Sequence, residues 1–155
     1  MMYASRMKII IVGGGAAGMM AAVSAREKNP QAKIEILEKN NILGKKVLIS
    51  GGGRCNLTTA ITDIKELMKN YPRGAKWLKF AMHNFPPGAL YEWFQAHDIP
   101  LKKESLKVYP VSNKGSEVTE MFARLFAEKN IKVSFEKSVE EIEKADNFKK
   151  GREGT

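Results

Sequence analysis

Cysteine is almost missing from this chain, with Cys55 alone among 155 residues. No intramolecular disulfide can form, and an ordinary zinc site has neither the thiolates nor the imidazoles it needs, since His83 and His97 are the only histidines. No metal is expected. Long apolar runs are also scarce, and none approaches the roughly 20 residues that span a bilayer. The apolar stretch 9–25 follows Arg6 and Lys8 in the manner of a secretory leader, but glycines break it and no small-residue cleavage site follows. These absences point to the cytoplasm and away from a membrane. Acidic residues run short too, 17 against 26 lysines and arginines, for a net charge of +9. That surplus suits nucleic acid. The lysines, however, are scattered in ones and twos among glutamates, as in Lys45-Lys46, Lys102-Lys103 and Lys149-Lys150, without the interleaved aromatics of a single-strand groove. The partner expected is a small-molecule substrate rather than nucleic acid.

What the chain does have is glycine in the right places. The strand-like run Ile9-Ile10-Ile11-Val12 enters Gly13-Gly14-Gly15-Ala16-Ala17-Gly18, and a helix is expected over 16–28, stopped by Asn29-Pro30. A second strand-like run, Lys33-Ile34-Glu35-Ile36-Leu37, ends at Glu38. This is the G-x-G-x-x-G pattern of a dinucleotide-binding βαβ unit, with its acidic residue about twenty positions on. Gly13 permits the sharp turn, Gly15 lets backbone approach a pyrophosphate, and Gly18 lets helix and strand pack closely. The first amides of the helix, at Ala16 and Ala17, then face the phosphates at the positive end of the macrodipole. Glu38 should accept from ribose hydroxyls. It would repel a 2′-phosphate at about 4 Å by roughly 4 kcal/mol at an effective dielectric near 20, which favours FAD or NAD over NADP.

A second cluster follows a polar loop and the β-like run Val47-Leu48-Ile49. Ser50-Gly51-Gly52-Gly53-Arg54-Cys55-Asn56-Leu57-Thr58 carries three consecutive glycines, costly in regular structure and suited to backbone lying flat on a ligand or forming an anion nest. A flexible surface loop is the plainer alternative. The strings Leu37-Glu38-Lys39, Leu43-Gly44-Lys45-Lys46 and Ser50–Gly53 with Arg54-Cys55-Asn56, then Val108-Tyr109-Pro110-Val111-Ser112-Asn113-Lys114, resemble a bacterial and archaeal flavoprotein family. Its members are known as NAD(FAD)-utilising dehydrogenases or aminoacetone-oxidase-like enzymes. A strand-end Glu followed by a Ser-Gly-Gly loop is more distantly similar to fumarate-reductase-type flavoproteins. The resemblance implies FAD, with NAD as a candidate reductant, Glu38 on the adenosine ribose, the loop residues Ser50, Gly51, Gly52, Gly53, Arg54 and Asn56 beside the pyrophosphate, ribityl chain or isoalloxazine, and Lys39, Lys45 and Lys46 as further cofactor-binding residues. It also implies that Val139 offers its backbone to the adenine.

The remaining chain reads as helices over 62–97, with Trp77, Leu78, Phe80, Ala81 and Phe85 as a core-facing set and both histidines structural. An extended stretch over 99–111 is held to edge or loop positions by Pro100 and Pro110. Val118, Met121, Phe122, Leu125 and Phe126 mark an amphipathic helix, with Ser116 as its N-cap. The third strand is expected at 131–135, parallel to the others in the order third-second-first, a further strand within 139–148, and a polar tail over 149–155. The expected fold is thus α/β, a Rossmann-like FAD- or NAD(P)-binding βαβ with a parallel sheet and a helical insert between strands two and three. The division is 8–58 for the cofactor unit and glycine loop, 60–112 for the insert, and 113–148 for the last helix and strand. Family members are more than twice this length, so 1–155 is expected to be the N-terminal part of an incomplete domain. The C-terminal part and the substrate domain would be absent, the first strand would be left at an edge, and FAD would bind poorly. Three functions stand open: part of an FAD-dependent oxidoreductase, an NAD-binding Rossmann dehydrogenase module, or a non-catalytic truncated fragment. Arg54 is either a flavin-side or a surface arginine, Cys55 is packed rather than redox-active, and catalytic residues are not assigned.

Overall fold

Two apolar runs of five residues, each too short for a stable helix, pair in parallel and set the architecture. The computed structural model describes residues 7–144. In chain order the elements are β1 (Lys8–Val12), α1 (Ala16–Lys28), β2 (Lys33–Leu37), α2 (Lys45–Ile49), a 3-10 turn (Ser50–Gly53), β3 (Thr58–Thr59), α3 (Ile64–Lys69), α4 (Ala75–Asn84), α5 (Pro87–Ala96), β4 (Leu101–Glu104), β5 (Lys107–Pro110), α6 (Gly115–Glu128) and β6 (Lys132–Ser134). β1, β2 and β6 form a parallel sheet in the order β1-β2-β6, with Ile9 opposite Ile34 and Ile11 opposite Ile36. This is a Rossmann-like α/β fold.

One face of that sheet carries the core. Ile34 and Ile36 are buried with Met19, Ala22 and Val23 of α1, and with the apolar stripe of α6, Val118, Met121, Phe122, Leu125 and Phe126. Each of these side chains larger than alanine contributes about 1.5–3 kcal/mol of burial. Arg26, in the last turn of α1, ties the bottom of the layer together by donating to the carbonyls of Pro30, Ala32 and Asn130. β1 lies at the end of the sheet order and exposes Ile10 and Val12. Among the described residues nothing pairs with its outer edge.

The segment between β2 and α6 holds more strand than the sequence suggests. β5 pairs antiparallel with both β3 and β4, forming a second sheet in the order β3-β5-β4. Five expectations need correction. The stretch 99–111 is not confined to edge or loop positions: β5 is the middle strand of that sheet, which Pro110 allows because it is the last residue of β5, beyond the pairing with β3. Val47-Leu48-Ile49 is helical rather than β-like, because Gly44 starts a turn in left-handed backbone and the Leu48 amide donates to its carbonyl. Ser116 lies inside α6 rather than at its cap. The helix starts after Lys114, whose amide donates to the Ser112 hydroxyl. α4 does not bury its aromatics: Trp77 and Phe80 are 77% and 78% exposed. Finally, 139–144 forms no strand. The rest of that expected strand and the polar tail, 145–155, lie outside the described residues.

Candidate functional site

The crevice at the C-terminal ends of β1 and β2 is built by one tight turn. Gly13 adopts a φ of +95°, and its amide donates to the Leu37 carbonyl at 2.8 Å, clamping the turn onto β2. A Cβ on Gly18 would stand 1.9 Å from the Gly13 carbonyl oxygen, so only glycine lets α1 start this close to the turn. A Cβ on Gly15 would meet no atom within 4 Å. Gly15 also lines the crevice, so that empty space opens into it. α1 has no side-chain cap and no acidic residue in its first turn. Its leading amides are therefore open to an anion, with no acidic side chain of its own first turn competing.

Glu38 closes the other wall. It is 6% exposed, yet its carboxylate is fully engaged on one oxygen and partly on the other. Oε2 accepts from the Gly14 amide at 2.6 Å, while Oε1 accepts from the Asn40 amide at 2.8 Å and the Asn40 side chain at 2.6 Å. Burial alone would raise its pKa, but those donors, helped by Lys39, prevail and hold it below the ordinary carboxylate value. A carboxylate oxygen offers about two acceptor positions. Oε2, which accepts one bond from the protein, therefore keeps a second acceptor position.

Between these walls lies a cavity of about 770 Å³. Of the residues expected at the site, Gly13, Gly15, Ala16, Glu38, Lys39, Lys45, Lys46, Ser50, Asn56 and Val139 line it. Ala17, Gly18, Gly51, Gly52, Gly53 and Arg54 do not. Ala17 and Gly18 are already inside α1, and the three glycines form a left-handed turn against the small sheet, where a Cβ on Gly51 would strike the Tyr109 ring. Arg54 turns outward, with Nη1 2.7 Å from Glu104 Oε2 and its guanidinium 4.0 Å from the centre of the Tyr109 ring. Glu104 holds that guanidinium protonated and its pKa raised. The arginine secures the loop to β4 and β5 instead of reaching the cavity.

Other wall residues carried no signal that sequence could separate from packing. Phe94, Val118 and Phe122 sit on helical apolar stripes and face the core and the cavity at once, as do Met19 and Val47. Asn40, two positions past Glu38, could have been found by asking what satisfies a buried carboxylate. Lys137 and Ser138 follow β6 and approach because the Lys137 amide donates to the Glu38 carbonyl at 2.9 Å. Cys55 is buried, in left-handed backbone, and lines the cavity beside Ser50. Burial pushes its thiol pKa up, leaving little reactive thiolate at neutral pH. His97 stacks on Trp93 and its Nδ1 lies 2.7 Å from the Trp93 carbonyl oxygen, a packing role, while His83 is exposed. Among the described residues no three His, Cys, Asp or Glu side chains gather as metal ligands, and no helix is long and apolar enough to cross a membrane.

With this geometry in hand, comparison with known proteins is informative. A family described as the HI0933-like protein Rossmann domain matches residues 7–153. The chain is 46% identical over 56 residues to a 3-dehydro-bile acid delta(4,6)-reductase of Clostridium scindens, a stretch covering 36% of this chain and 14% of that protein. It is 32% identical over 71 residues to a ribosomal RNA dihydrouridine synthase of Escherichia coli, covering 46% of this chain and 17% of the relative. The crystal structure of Thermovibrio ammonificans THI4 superposes with a TM-score of 0.50 at 14% identity, over 84% of this chain and 38% of that one. This last likeness bears on the fold alone. The chain covers less than a fifth of either curated relative.

Proposed function

Because this chain belongs to the HI0933-like protein Rossmann-domain family, we propose that it binds FAD in the crevice between the Gly13 turn and Glu38, as the cofactor-holding part of an oxidoreductase. The observation that carries this is the Cβ-free cradle at Gly15, facing uncapped α1 amides on one side and the buried Glu38 carboxylate on the other. FAD is favoured over NAD because the cavity continues past the phosphate position along α2 to an apolar wall of Leu57, Leu90, Phe94 and Phe122, which suits a large fused ring.

The chain's own residues have separable tasks. The amides of Gly15 and Ala16 would hold the diphosphate, Glu38 would accept from the adenosine ribose, and Lys39, Lys45, Lys46 and Lys137 would neutralise charge at the rim. Val139 would meet the adenine with its backbone. Leu90, Phe94 and Phe122 would exclude water around the ring. Bound FAD would supply two-electron redox chemistry. The curated relatives are named as a 3-dehydro-bile acid delta(4,6)-reductase and a ribosomal RNA dihydrouridine synthase; from the first we carry over reduction of a small-molecule substrate, with a nicotinamide dinucleotide as reductant. The open edge of β1, apolar at Ile10 and Val12, would take a further strand from elsewhere in the whole protein. A cytoplasmic site of action fits this chemistry.

Titrating the chain with FAD, and with ADP as competitor, tests the reading. Saturable binding that ADP displaces supports it. Tight NADH binding with none of FAD would turn the assignment to a nicotinamide module, and binding of neither would leave the chain without a cofactor role.

A further inference from the structure

A second concavity of about 640 Å³ lies beside the cofactor crevice, between β3 and the helices α3, α4 and α5. The two share Asn56, Leu57 and Leu90 as a common wall. Not one residue lining it is charged, in a chain that is 28% charged. Several of its polar groups are already occupied: the Asn56 side-chain oxygen accepts from the Val108 amide, Thr59 bonds the Leu106 carbonyl and the Ile61 amide, and the Asn70 amide donates to the carbonyls of Glu66 and Leu67. The hydroxyls of Thr58 and Tyr71 are neutral groups left over among its lining residues. What remains for a ligand is mostly aliphatic and aromatic surface with a few neutral hydrogen-bonding groups set in it. An ion placed there would lose hydration without gaining a countercharge, whereas an uncharged body would gain roughly 25 cal/mol per Å² of apolar surface removed from water. The volume is that of a pocket for a small organic molecule.

We infer that this groove holds the uncharged, largely apolar body of the small-molecule substrate, with its reacting end at the shared wall of Asn56, Leu57 and Leu90. The inference rests on the cofactor reading in that respect, since the shared wall adjoins the part of the crevice given to the flavin ring. It commits to a neutral ligand despite the +9 charge of the chain, which by itself would draw anions.

Two probes differing in one group make the test. N-phenyl-1-naphthylamine is neutral, and 8-anilinonaphthalene-1-sulfonate carries the same rings with a sulfonate. Fluorescence titration of the chain should show saturable binding of the neutral probe, at least tenfold tighter than the sulfonate. Leu106→Glu, at a rim position 60% exposed and so harmless to the fold, and Met82→Trp, which fills the groove, should each weaken it at least tenfold. Ile142→Glu, at an 82% exposed position outside the groove, should not. Equal affinity for the sulfonate, or neutral-probe binding that ignores both groove variants, overturns the inference. FAD titrated into the same variants reads the cofactor assignment separately, because neither Leu106 nor Met82 lines the crevice.

Discussion

Gly15 and Gly18 are three positions apart in one motif, yet they answer to different constraints. A methyl on Gly18 would drive into the Gly13 carbonyl oxygen at 1.9 Å, so Gly18→Ala should lower stability by about 1–3 kcal/mol, as overpacking does, read as a fall in Tm. A methyl on Gly15 meets only empty crevice. Gly15→Ala should keep the Tm of the parent and lose FAD affinity at least tenfold. Glu38 is the third such residue. The folded chain holds its pKa below 4.5, so the unfolded chain binds more protons as acid is added. The stabilisation from its hydrogen bonds is therefore complete above 4.5 and lost as pH falls through the folded value. Glu38→Gln should flatten that part of the acid-denaturation curve. It should also weaken cofactor binding by about 1.5–3 kcal/mol, the range for hydrogen bonds to a charged group.

At the scale of elements, legibility followed the strength of the local pattern. β1, α1, β2 and α6 could be read because a glycine turn and two periodicities fix them with no reference to distant residues. α2 could not. Three β-branched or branched residues in a row read as strand, and only Gly44 and the packing of Val47 against the core make them a helical turn. The second sheet was hidden because Thr58-Thr59 is too short to show alternation and pairs with residues some fifty positions later. The candidate site divides the same way. Its glycine turn and carboxylate are local, whereas Phe94, Phe122 and Lys137 reach it only through tertiary packing. α4 misled because its 3.6-residue period is real, but the apolar face is split, with Leu78 and Met82 turned in and Trp77 and Phe80 turned out. Trp77→Ser should thus change stability by no more than about 0.5 kcal/mol, while Phe122→Ala, 2% exposed, should cost about 3–5 kcal/mol. Chemical denaturation of the two variants checks the contrast.

For the whole molecule, a half-covered sheet is the governing feature. β1 would serve well as a central strand, yet among the described residues it stands at an edge with Ile10 and Val12 exposed, and such an edge invites pairing with another chain. The chain should self-associate as its concentration rises, and Ile10→Lys should suppress this in light scattering without altering the crevice, which Ile10 does not line. The site itself depends on both layers at once: the sheet supplies the turn and Glu38, and α2, α5 and α6 supply the far wall. The central claim is that a dinucleotide lies across the Gly13 turn, and amide-resolved NMR during an FAD titration tests it most directly. The account predicts saturable shifts at Gly13, Gly15, Ala16, Glu38 and Asn40, with Glu104 and Arg124 unmoved. An unchanged spectrum, or shifts confined to residues away from that turn, would contradict it.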